Sequence, residues 1–263
     1  MSLFKKISKS RYHLMFSVLP VIAVIALLKT GIHFLGWELI PKEMSAFFPS
    51  ILTGIIFLLG FLLAGVVTDY KESEKIPNEM AASLFAIWQE TDFIRKVSGL
   101  KSADNLMDKL RTFVPVLKDD FFIKNNDKMQ KLFDSISEDI VELGKEGAVV
   151  NYISRIKVEL ASLKKNVNRI SVIKSTDFVP SVFVSIQAIS AIFLVVYCLL
   201  KVEPWWGGLI IVSIFAFVIF SILFLIKDMD DPFEYDGTDD PKSDEVSLEV
   251  LDNLHKELFG AGK

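Results

Sequence analysis

Phe57 and Phe61 stand four residues apart in the stretch IIFLLGFLLAGVVTDYKESEKIPNEMA (55–81), with Gly60 between them. On a helix, positions i and i+4 share a face, so the two rings form one aromatic stripe. Such a stripe has two readings: an anchor packed on lipid and neighbouring helices, or the wall of a pore. The stretch turns from pure hydrocarbon to charge across Val67, Thr68 and Asp69. Other reactive residue types are thinly spread. His13, His33 and His255 belong to three separate segments, and Cys198 is the single cysteine, so one chain cannot build a zinc set or a disulfide framework. The sequence has no Gly-rich phosphate loop, nucleophile elbow or His–Glu cluster. No enzyme and no catalytic residue is expected.

The elements that would carry the stripe are legible from hydropathy. The chain has 263 residues, 51% of them hydrophobic, with a mean hydropathy of +0.42. Its apolar residues fall into four blocks, 12–37, 47–67, 178–200 and 205–226. Each has about the 20 residues that a helix needs to cross a bilayer. The first block is too long for a cleaved signal and reads as a retained anchor. Pro20 is expected to kink it, and Pro180 sits in the first turn of the third block, where a missing N–H costs little. Residues 201–204 join the last two blocks into a tight hairpin, and Trp37, Trp205 and Trp206 mark interfacial ends. The spans carry no ionisable side chain in their cores, and Gln187 is their one strongly polar group. That pattern argues against a coupled transporter or an intramembrane protease.

Orientation follows from basic residues. Lys5, Lys6, Lys9 and Arg11 precede the first span without an acid, which places the N-terminus in the cytoplasm. Four spans return the C-terminus to the same side. The expected organisation is a basic cytoplasmic N-terminus (1–11), spans one and two (12–67), a cytoplasmic helical domain (68–177), spans three and four (178–226) and an acidic cytoplasmic tail (227–263). The fold class is therefore an all-α membrane protein with a helical bundle inserted between spans two and three. The location is integral and multi-pass, in a bacterial inner (plasma) membrane.

Within the insert, Met80, Leu84, Ile87, Trp88 and Ile94 trace one helical face, and Leu106, Leu110, Phe113 and Val114 trace another, expected to end at Pro115. Met129, Leu132, Phe133, Ile136, Ile140 and Leu143 trace a third, ended by the stretch 144–147. Ile153, Ile156, Leu160, Leu163, Val167 and Ile170 make a heptad seam too short for an isolated coiled coil, and so a bundle-packing face. This helix is expected to run on without a break into the third span. Acids and bases balance in the insert, so no nucleic-acid partner is expected. The tail carries twelve acids against four bases, with Val246, Val250, Leu254 and Leu258 forming an apolar stripe that asks for a docking surface.

Two short motifs in this layout resemble bestrophins. FLLGF (57–61), followed by VVTDYKESEKIP, resembles the second span of that family, with its F-x-L-G-F. DMDDPFEYDG (228–237), just after the last span, resembles the family's acidic D/N-P-F signature. Four spans, a large insert between the second and third, and an acidic tail agree with that family's layout. The chain departs from it after the second span, where Asp69, Tyr70, Lys71 and Glu72 replace the usual aromatic and arginine residues. This marks a divergent, bacterial bestrophin-like branch.

The resemblance implies a homo-oligomeric channel, a pentamer, for small inorganic ions in the lipid bilayer, chloride above all. Thr53, Phe57 and Phe61 would form a hydrophobic neck, with the cytoplasmic helices extending the pore. Repeated around an axis, three positions on one face give three stacked rings. Ring edges are partly positive, so a neck of aromatics can favour an anion without any fixed charge, and a hydrophobic constriction gates by dewetting. Asp69 and Glu72 would stand at the cytoplasmic mouth, where a ring of acids favours cations, so a cation-conducting relative is one alternative. A non-conducting scaffold or sensor with a cytoplasmic partner is another. Asp228, Asp230, Asp231, Glu234 and Asp236 are oxygen ligands of the kind calcium takes, although Pro232 and Phe233 break EF-hand spacing. They could equally clasp the basic run Arg155, Lys157, Lys164, Lys165, Arg169 and Lys174 of a neighbouring subunit, or remain a solvated linker anchored by Phe233. No other cofactor is expected.

Overall fold

The structure, a computed structural model, describes residues 13–123, 127–175, 180–230, 232–233 and 245–260. Among them run nine α-helices: α1 (His13–Phe34), α2 (Phe48–Ser73), α3 (Ile76–Ser98), α4 (Lys101–Ile123), α5 (Asp127–Lys145), α6 (Val150–Ser175), α7 (Pro180–Cys198), α8 (Trp205–Asp230) and α9 (Glu249–Phe259). A 3-10 helix, Lys42–Phe47, leads into α2. The one strand-like pairing among the described residues is a parallel bridge between Ile40 and Leu200. The all-α class holds, and the four helices α1, α2, α7 and α8 are long and apolar enough to cross a membrane. Lys5, Lys6, Lys9 and Arg11, and the junction 176–179 between α6 and α7, lie outside the described residues.

The chain forms two compact units, dividing within α2 after Tyr70 and again after Thr176. In the first, α1 lies along α8 and touches α7. Its core joins Ile25 and Ile32 of α1, Ile55, Leu59, Leu62 and Val66 of α2, Phe193 of α7, and Val212, Ala216 and Ile219 of α8. Phe48 sits edge-on to Tyr197, with ring centroids 5.1 Å apart. The hairpin between α7 and α8 is tight enough to demand glycine at 208, where a Cβ would come within 2.9 Å of Val202.

In the second unit α3 packs on α6, α4 on α3 and α5, and α9 on α3 and α4. All six residues of the α6 seam are buried, as are Met80, Leu84, Ile87 and Ile94 of α3. Asp92 is tied to Lys96 (2.6 Å) and Arg95 (2.7 Å). The hydrogen bond from Lys96, opposed by burial and joined by Arg95, holds its carboxyl below the ordinary value.

Two helix boundaries differ from the sequence expectation. Pro115 does not end its helix, because α4 runs through it to Ile123. Proline removes the N–H that would bond the carbonyl four residues earlier, here Arg111. That carbonyl is satisfied from outside: His255 Nε2–H of α9 donates to Arg111 O at 2.8 Å. The Arg111 guanidinium in turn lies over the Phe259 ring at 5.6 Å, and Lys118 pairs with Asp252 at 2.7 Å. At the second boundary, α8 extends beyond its apolar stretch to Asp230, so Asp228 and Asp230 are helical. The tail helix begins at Glu249 and docks through Leu248 and Leu251. Of the stripe read from the sequence, Val246 is buried, Leu254 and Leu258 are half-buried, and Val250 alone is exposed.

The Pro115–His255 arrangement makes a sharp prediction. His255→Leu should destabilise the second unit by about 1 kcal/mol, the net worth of one hydrogen bond. In a Pro115→Ala background the restored N–H can bond Arg111 O, and the same substitution should cost almost nothing. A double-mutant cycle by urea unfolding reads the difference; equal costs in both backgrounds would rule the rescue out.

Candidate functional site

α2 buries one stripe and exposes the opposite one. Ile55, Leu59, Leu62 and Val66 are turned into the first unit's core. Phe57 and Phe61 lie two positions on from Ile55 and Leu59, about 200° around a helix that turns 3.6 residues per revolution. Phe57 is 72% and Phe61 75% exposed. Thr53 is on the same face, and its hydroxyl is spent on its own helix, donating to Pro49 O at 2.8 Å. Ala64 and Thr68 continue the exposed face, and Thr68 likewise donates to Ala64 O at 2.8 Å. Within one chain nothing would meet a Cβ at Gly54 or Gly60. The three residues that the resemblance singled out therefore share one exposed, charge-free stripe that the chain's own bundle does not cover.

The two acids beyond that stripe differ in surroundings. Asp69 is exposed. Glu72 is half-exposed and pairs with Arg169 of α6, so its charge is locally compensated. Asp228 and Asp230 close α8, while Asp231, Glu234 and Asp236 lie outside the described residues. Among the described residues no three His, Cys, Asp or Glu side chains come together as a metal site. Phe233, beside these acids in sequence, is fully buried in the second unit.

One cluster was not singled out in the sequence. Lys29, within the first apolar block, lies inside α1 and is fully buried. Its ammonium donates to Leu200 O at 2.7 Å, Glu38 Oε1 at 3.0 Å and Cys198 O at 3.2 Å. Three donors thus meet three acceptors. The same Glu38 oxygen lies 3.3 Å from His33 Nδ1, one helical turn beyond Lys29. The His33 ring stacks on Trp205 with centroids 5.1 Å apart. Burial raises the Glu38 carboxyl, but the hydrogen bond and charge of Lys29, joined by His33, outweigh it and hold the group below its ordinary value. The cluster fastens the segment after α1 to the end of α7 and the start of α8. The i, i+4 pair of Lys29 and His33 with an acid nearby was the signal in the sequence.

No protein-family model matches the sequence, and no curated protein matches it. Solved structures do. A crystal structure of a bacterial bestrophin homologue from Klebsiella pneumoniae, carrying one substitution, superposes with a TM-score of 0.74 at 11% identity, over 94% of this chain and 98% of that one. A second variant gives 0.71 at 12%, over 95% and 99%. The structure of that homologue phased on zinc gives 0.68 at 13%, over 95% and 97%. At such identity the likeness shows the fold, over nearly the whole of both chains. The divergent bestrophin-like resemblance carried by FLLGF and DPF is therefore borne out at the level of fold.

Proposed function

We propose, from this bestrophin-like fold, that the chain is the subunit of a homo-oligomeric, pentameric ion channel that passes anions. In this reading α2 lines the pore, and Thr53, Phe57 and Phe61 form its neck. The single observation that carries it is the pair of phenylalanines exposed on the face of α2 opposite its buried stripe. α2 also exposes Ile51, Ile56 and Leu58, and symmetric copies around an axis would cover this apolar surface together with the two rings. The charge-free neck favours anions, and so does the pairing of Glu72 with Arg169, which offsets an acid just beyond it. The basic N-terminal run supports a cytoplasmic position for both chain ends and the second unit, with the protein in a bacterial plasma membrane.

The test is the reversal potential of the purified protein in a planar bilayer under a KCl gradient. Reversal near the chloride equilibrium potential is expected. Reversal near the potassium potential would keep the pore and replace the ion, with exposed Asp69 the first residue to neutralise. Absence of current would leave a membrane scaffold, with Phe57 and Phe61 packed on lipid.

A further inference from the structure

The cluster around Lys29 holds a group whose charge can change. Glu38 Oε1 accepts from Lys29 and lies within 3.3 Å of His33 Nδ1. Lys29 is permanently occupied by three acceptors, whereas His33 reaches only the one oxygen and is partly exposed, at 31%. A neutral imidazole offers Nδ1 as donor or acceptor according to its tautomer, and a protonated one is a charged donor at both nitrogens. Only the second is an ion-pair partner to a carboxylate. Histidine is the side-chain type whose ordinary charge change falls between pH 5 and 8.

What the cluster holds is the short segment 35–41. Ile40 N–H donates to Leu199 O at 3.1 Å, and Lys201 N–H donates to Ile40 O at 2.9 Å. Glu38 is its side-chain fastening, and Pro41 leads directly into the 3-10 helix and α2. The segment is thus the tether for the start of the helix that carries Phe57 and Phe61.

We propose that His33 is a proton-operated latch: taking up a proton, it pairs with Glu38, tightens segment 35–41 onto the α7–α8 connection, and so restrains the start of α2. The gating half of this rests on the channel reading above. The other ionisable groups near the cluster do not supply the switch. Lys29 is saturated; Tyr197 and Cys198 are buried on α7. Lys201 and Glu203 sit 3.8 Å from one another in the α7–α8 connection, and Lys42 and Glu43 are exposed on the 3-10 helix. Glu38, held below its ordinary value, stays ionised through the histidine range. Its own contribution is lost only as pH falls through that lowered value, so the expected transition on acidification is a tightening.

The experiment measures hydrogen exchange of residues 36–40 in the full-length protein in proteoliposomes at pH 8 and pH 5.5, corrected for intrinsic rates. Wild type should gain protection roughly twofold to fivefold at the lower pH, the shift that a part-exposed ion pair supplies. His33→Gln and Glu38→Gln should be flat. Bilayer currents recorded with pH lowered only on the side of this segment should fall by the same factor in wild type and in neither variant. Equal protection at both pH values in wild type, or a response that survives either substitution, overturns the latch. A current that ignores pH while protection responds overturns its coupling to α2. Absence of current from any of the proteins defeats the channel reading instead, and the exchange data still decide the latch.

Discussion

Phe57→Ala combined with Phe61→Ala is expected to raise the single-channel current roughly tenfold at fixed voltage, equivalent to lowering a permeation barrier by about 1.4 kcal/mol. A ring of phenylalanines resists wetting, and an ion crossing it sheds most of its water. Alanine widens the constriction at two successive levels and lets water remain. The same change removes the partly positive ring edges, so the reversal potential should move from the chloride value toward zero. Thr53→Ala should do much less, because its hydroxyl is already committed to Pro49 O. Leu59→Ala is the matched control. It lies between the two rings in sequence but is fully buried in the bundle. Its expected effect is a loss of about 2–5 kcal/mol of stability, as for other large-to-small core changes, with unit current unchanged. If the double alanine conducts as wild type does, the exposed stripe faces lipid and the neck is elsewhere.

The contrast between Leu59 and Phe57 also shows what the sequence disclosed and what it withheld. Hydropathy alone located the four apolar helices, since an uninterrupted apolar block of bilayer length seldom occurs in a soluble domain. The α6 seam was equally plain, because Ile153, Ile156, Leu160, Leu163, Val167 and Ile170 obey a single period and every one is buried. Which face of α2 would be left uncovered was not legible from its own residues. Leucines, isoleucines and phenylalanines surround that helix on all sides, so period carries no signal, and only the motif resemblance picked out Phe57 and Phe61. Pro115 misled for a different reason. Its local rule is sound, but the carbonyl it frees is satisfied by His255, 144 residues away, and no window along the chain can contain both. The tail stripe was legible except at Val250, which is exposed, while Leu248 and Leu251, three apart, take the buried positions beside it. Lys29 was hidden because two of its three acceptors, the carbonyls of Cys198 and Leu200, stand 169 and 171 residues away in the chain.

Lys29 carries a large stability effect in the first unit. Lys29→Met keeps the length of the side chain and removes its three donors. Glu38 then retains His33 alone, and the carbonyls of Cys198 and Leu200 lose a fully buried partner. Breaking a fully buried pair from one side costs about 3–5 kcal/mol; Glu38 is 12% exposed and within reach of water, so the loss should fall at or below the lower end of that range. A thermal melt in detergent, followed by the fluorescence of Trp205 and Trp206 at the start of α8, should register that loss. Adding Glu38→Leu separates the two contributions. Removing the stranded carboxylate should recover part of the stability, since replacing both members of a buried pair by apolar groups is often neutral. The recovery should stay incomplete, because two carbonyls at the end of α7 still lack a donor, at about 1–3 kcal/mol for each group left unsatisfied. Full recovery would mean that water reaches those carbonyls, and that the end of the bundle nearest Trp205 is wet. A Lys29→Met melt indistinguishable from wild type would mean more: the ammonium would then be a bystander, and the segment before α2 would be held by the Ile40–Leu200 bridge and the His33–Glu38 contact.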